Sequence, residues 1–124
     1  DNLYWFSRKR RTAPDRYAAL ESLRAPEQRA ALTASVTAAT LGDGPALRAT
    51  LRNDGPGVAF CIRLKLTRRD GVTRVLPAFF TDNYLTLFSG ETRQVEVCWP
   101  SRAAGGEGPR LYVGGWNLGS RQIA

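Results

Sequence analysis

The chain has 124 residues, 43% of them hydrophobic, with 12 Gly, 7 Pro and a formal net charge of +7, which suits one domain burying roughly two-thirds of its unfolded surface and excludes a disordered tail. It has no histidine and two cysteines, so Ser-His-Asp and Cys-His catalysis, imidazole metal ligation and a cysteine-only zinc site are excluded. No apolar run approaches the ~20 residues of a membrane span, no signal-peptide pattern opens the chain and there is no methionine; the sequence reads as a piece of a longer or processed protein.

Residues 1–31 are predicted as an opening strand and a linker. Asn2–Ser7 (NLYWFS) has strand character, and Arg8-Lys9-Arg10-Arg11 is the only dense basic cluster. The remaining charges are scattered, as expected for solvated strand faces and loops, and no nucleic-acid partner is predicted. Tyr17–Leu23 is a short candidate for a helical turn, with Asp15 as its cap, and is read as a linker packing along the edge of the sandwich.

From residue 32 to 124 the pattern is that of an all-β domain, an immunoglobulin-like antiparallel β-sandwich. Leu32, Ala34, Val36 and Ala38 share one face of a first strand, and Leu47, Ala49 and Leu51 share one face of a second. Phe60, Ile62, Leu64 and Leu66 alternate with Cys61, Arg63 and Lys65. Val95, Val97 and Trp99 alternate with Gln94, Glu96 and Cys98. Period-two alternation marks half-buried strands, because successive side chains point to opposite faces. The turns lie between them: Gly42-Asp43-Gly44-Pro45, Asn53-Asp54-Gly55-Pro56-Gly57, Asp70-Gly71 (a hairpin signal) and Ser89-Gly90-Glu91. Short strands at this spacing, without helical pattern, make a sandwich.

Strand phase also sorts the candidate sites. Cys61 and Cys98 both fall on polar faces, which argues against a bridge through the core; free thiols are favoured, with a cross-strand pair left open if their strands are neighbours. Asp82 with Glu91 is the only carboxylate pair that invites comparison with glycosidase chemistry, and the acids otherwise sit in turns, so no catalytic residue, cofactor or metal is assigned. Phe60 and Trp99 share phase with core aliphatics. Tyr84 is out of phase with Leu85 and Leu87, pointing to exposure, and Gly114-Gly115 suggests a bulge that leaves Trp116 unoriented. Gly105–Gly108 lacks the Lys and Ser/Thr of a phosphate loop.

In this order, NLYWFS (2–7), NDGPGVAFCIRLKL (53–66), DG (70–71), VLPAFFTDNYLTLFSGETRQVEV (75–97) and GGWN (114–117) resemble the C-terminal immunoglobulin-like domain of family 2 glycoside hydrolases. The branch is that of exo-β-D-glucosaminidases and β-mannosidases. The match is weakest over 8–31 and 100–110, and Phe80 and Ser89 stand where that family typically carries a tryptophan and a proline. The resemblance implies a non-catalytic accessory domain of an enzyme acting on β-glucosaminides or β-mannosides. Its partners would be a catalytic barrel and other domains of a parent chain, with a polysaccharide or oligosaccharide as a further ligand. It also implies a bacterial, periplasmic or secreted parent. An autonomous carbohydrate-binding module is the alternative, followed by a polyanion binder using Arg8–Arg11. Asp82, Asn83 and Tyr84 form the candidate interdomain or substrate-rim site. Asp and Asn bond nearby backbone and start turns, so a purely structural corner competes with that role.

Overall fold

Leu32–Leu41 (β1) and Gly44–Asn53 (β2) pair antiparallel along their whole length, Leu32 opposite Asn53 and Leu41 opposite Gly44. A computed structural model describes residues 18–42 and 44–124. The expected strand Asn2–Ser7, the Arg8–Arg11 cluster and the cap Asp15 lie outside the described residues. Thr92–Cys98 (β6) lies on the other side of β2, and Phe79–Phe80 (β4) pairs with the end of β6. The second sheet is built from Ala59–Thr67 (β3), Leu85–Leu87 (β5), Arg110–Gly115 (β7) and Leu118–Gln122 (β8), in the order β5-β3-β7-β8. The first has the order β1-β2-β6-β4. The chain crosses between the sheets repeatedly from β2 onward, which makes a sandwich rather than two meanders.

The core fills the space between the sheets. Ala49, Leu51, Val95 and Val97 come from the first, and Ile62, Leu64, Leu66, Leu111 and Val113 from the second, each at most 1% exposed. Trp99, directly after β6, joins them as expected. Leu32, Ala34 and Val36 are half-buried, but Ala38 is exposed. It lies opposite Leu47, itself only half-buried, on an edge strand at the rim of the core.

Phe60 is the clearest departure from simple alternation. The β3–β5 register shifts between Ala59 and Ile62, and Cys61 takes φ +52°. This bulge lets both Ala59 and Ile62 face the core and turns Phe60 outward, half-buried. Phase is restored at Ile62, so Cys61, Arg63 and Lys65 still point away from the core. Cys61 and Cys98 are both free and half-buried. They sit on different sheets, outward on each, so the core separates them and neither bridge forms.

The Asp70-Gly71 turn closes as its residues suggest. Asp70 Oδ1 accepts the amides of Val72 and Thr73, each at 2.9 Å, and Gly71 takes φ +74°. The Thr73 hydroxyl, followed by those two amides, holds the Asp70 carboxyl below its ordinary value. The returning arm is no full strand, only a single Thr67–Arg74 bridge, yet it carries Val75 into the core.

Residues 18–31 run against the sandwich as two short 3₁₀ turns, Ala18–Arg24 and Pro26–Gln28. Residues 28–31 then lie tightly over the 53–57 turn. A Cβ at Gly57 would stand 1.8 Å from the Gln28 carbonyl oxygen, so only glycine fits there. Asn53, fully buried, ties the junction together. Its Oδ1 accepts the amides of Ala31 and Gly55, both at 3.1 Å. Its Nδ2 donates to the carbonyls of Gly57 at 2.7 Å and Leu87 at 3.0 Å. Beside it, the guanidinium of Arg52 and then the hydroxyl of Thr33 hold the Asp54 carboxyl below its ordinary value.

Candidate interaction face

The Asp82-Asn83-Tyr84 corner extends the β3–β5 ladder with a side chain. Ile62 pairs with Leu85, which would bring Asn83 opposite Leu64 two residues further on. Tyr84, however, takes φ +58°, and the backbone leaves the strand path. The Asn83 carboxamide replaces the missing peptide: Oδ1 accepts Leu64 N at 2.8 Å and Nδ2 donates to Leu64 O at 3.1 Å. Asp82 Oδ1 accepts the amide of Asn83 at 2.8 Å, and Asn83 Oδ1 also accepts the amide of Tyr84 at 3.0 Å. Two residues of the triplet are thus engaged locally, whereas Tyr84 is left 62% exposed.

Tyr84 lines one end of a groove of about 360 Å³ on the outer face of the second sheet. Cys61, Arg63 and Lys65 of β3 form its floor, with Tyr112, Gly114 and Trp116 opposite. A second corner shapes that far wall. The β7–β8 register shifts between Val113 and Gly115, as the glycine pair suggests. Asn117 then accepts the Phe60 amide at 2.9 Å and donates to the carbonyls of Val58 at 2.7 Å and Leu23 at 3.2 Å. Trp116 is held edge-on to Phe60, with ring centroids 6.3 Å apart. The Arg24 guanidinium lies over its ring at 4.2 Å, and Lys65 Nζ sits 5.4 Å from the ring centre of Tyr112.

Of the site residues expected from the sequence, only Tyr84 lines this groove. Arg63, Lys65 and Tyr112 are not marked out by sequence motif, although the outward phase of 61, 63 and 65 is readable. Asp82 and Glu91 each bond a nearby backbone amide: Asp82 accepts the next one along, and Glu91 Oε2 accepts that of Phe88 at 2.9 Å. Among the described residues no group of three or more His, Cys, Asp or Glu side chains could hold a metal. No described helix is long and apolar enough to cross a membrane.

The model of the exo-β-D-glucosaminidase Ig-fold domain matches residues 5–118. The chain belongs to this family. This Ig-fold domain is 32% identical over 92 residues to an exo-β-D-glucosaminidase of Streptomyces avermitilis, covering 73% of the chain and 10% of the relative. It superposes on the crystal structure of Amycolatopsis orientalis exo-chitosanase CsxA with a TM-score of 0.69 at 28% identity, covering 77% of the chain and 11% of that enzyme. A complex of a variant of the same enzyme with PNP-β-D-glucosamine gives 0.73 at 26% identity, with 86% and 12% covered. The Ig-fold domain thus spans about a tenth of the length of the relatives it matches.

Proposed function

We propose that this Ig-fold domain is the non-catalytic accessory domain of a larger, exported bacterial family 2 glycoside hydrolase that cleaves β-D-glucosaminides. In it, the domain packs against the catalytic barrel and shapes its rim. The observation that carries this reading is the match of one Ig-fold domain family over residues 5–118 to about a tenth of much longer glucosaminidases. Both the family and its relatives are named for glucosaminide cleavage, which favours that substrate over β-mannosides. An autonomous carbohydrate-binding module finds little support in the ring geometry. A sugar platform uses a row of bare aromatic faces, whereas in this groove Arg24 covers Trp116 and Tyr84 is the only ring left mainly exposed.

Tyr84 is the point of this domain offered to the barrel or to the substrate rim. Its ring is exposed on a corner whose other side chains do the structural work, and tyrosine supplies apolar area with a polar tip. Tyr84→Ala should therefore change the stability of the isolated chain by less than about 1 kcal/mol. The same substitution in the parent enzyme should impair turnover of an aryl β-D-glucosaminide. A parent variant with unimpaired turnover would remove Tyr84 from the rim.

A further inference from the structure

The two outer faces of the sandwich differ in how their charges are matched. On the first sheet Arg48 pairs with Glu96 at 2.6 Å, and Arg52 with Asp54. On the outer face of the second sheet the groove under Tyr84 shares Trp116 with a hollow beside Arg24 and Arg29. No carboxylate lines either. Arg24 is within 3.7 Å of Glu21. Among the described residues, Arg29, Arg63 and Lys65 have no acidic partner. A trough lined by cations and by no carboxylate, on low-dielectric walls, focuses its field outward and selects a partner of the opposite sign.

We infer that this trough is the docking face of the domain and that its occupant is a carboxylate-bearing surface of the parent polypeptide. The inference rests on the accessory-domain reading and adds to it the face used and the chemistry of the partner. The aromatic groups favour a protein occupant over a polyanionic chain. Single-stranded nucleic acids and glycans use free ring faces, and here Trp116 lies beneath Arg24 with Phe60 at its edge. Guanidinium groups instead match carboxylates bidentately. Trp and Tyr beside arginine are also the residues that enrich the centres of protein interfaces. A cationic trough repels a glucosamine polymer wherever its amines are protonated, so direct substrate binding at this face is disfavoured.

Lys65 reports on the trough directly, since Lys9 is the only other lysine in the chain. Amine acetylation, read by mass spectrometry, should modify Lys65 readily in the isolated chain and lose that reactivity in the parent enzyme. A carbodiimide should link Lys65 in the parent to an Asp or Glu outside this chain. Arg63→Glu should restore Lys65 acetylation in the parent. Equal reactivity in both forms overturns the inference, and retention of both on heparin would then assign the trough to polyanions. Protection already present in the isolated chain also overturns it, assigning the trough to residues 1–17. Turnover of an aryl β-D-glucosaminide by the same parent sample judges the accessory-domain reading separately. An active parent with an exposed Lys65 defeats the docking inference alone.

Discussion

Asn53→Ala is expected to destabilise the isolated domain by about 4 kcal/mol, since each buried group left without a hydrogen bond costs about 1–3 kcal/mol and some are resolvated by water. Four groups depend on this one carboxamide: the buried amide of Gly55 and carbonyls of Gly57 and Leu87, and the half-buried amide of Ala31. They belong to the linker, the 53–57 turn and β5, so one truncation loosens three segments together. The loss is a large part of the roughly 5–15 kcal/mol that holds a typical domain. In a thermal melt it should appear as a drop of about 10–20 °C. Asn53→Asp should fare no better, because it removes both donors and buries a charge. A shift below about 1 kcal/mol for the alanine variant would show that the linker is not fastened through this residue.

Trp99→Ala should cost about 3–5 kcal/mol, the range for deleting a large aromatic from a packed interior. Trp99 continues the inward face of Val95 and Val97 and is 7% exposed. Removing it leaves a cavity that the surrounding β-branched and leucine side chains cannot close without shifting strands. Trp99→Phe should recover part of the loss. Phe79→Ala provides the contrast: 61% exposed on the short edge strand β4, it should change the denaturation midpoint little. Equal effects at Trp99 and Phe79 would mean that the core is not where the alternation places it.

Alternation is sufficient to read the sheets wherever the strands are regular. Ala49 and Leu51, or Val95 and Val97, are buried because a two-residue period on a half-buried strand leaves little choice. Phe60 breaks the rule because the bulge falls at Cys61, a residue with no special tolerance for φ +52°. Gly114-Gly115 does announce its bulge, since glycine is the usual residue at such a shift. Asn53 is legible as a turn residue but not as a buried one. Its burial comes from residues 28–31 lying across it, a contact that local pattern does not contain. The trough is the least legible part. Arg63, Tyr84 and Trp116 meet only because the strand order is β5-β3-β7-β8, and that order is a property of the whole fold.

Turnover of an aryl β-D-glucosaminide, measured side by side for the isolated chain and its parent polypeptide, tests the central claim most directly. Release of the aryl group by the parent and none by the isolated chain is the expected result, because the chain lacks histidine and its candidate acids Asp82 and Glu91 are exposed and bonded to local backbone amides. Turnover by the isolated chain that survives repurification and scales with its concentration would contradict the account, as would an intact parent that leaves the substrate untouched.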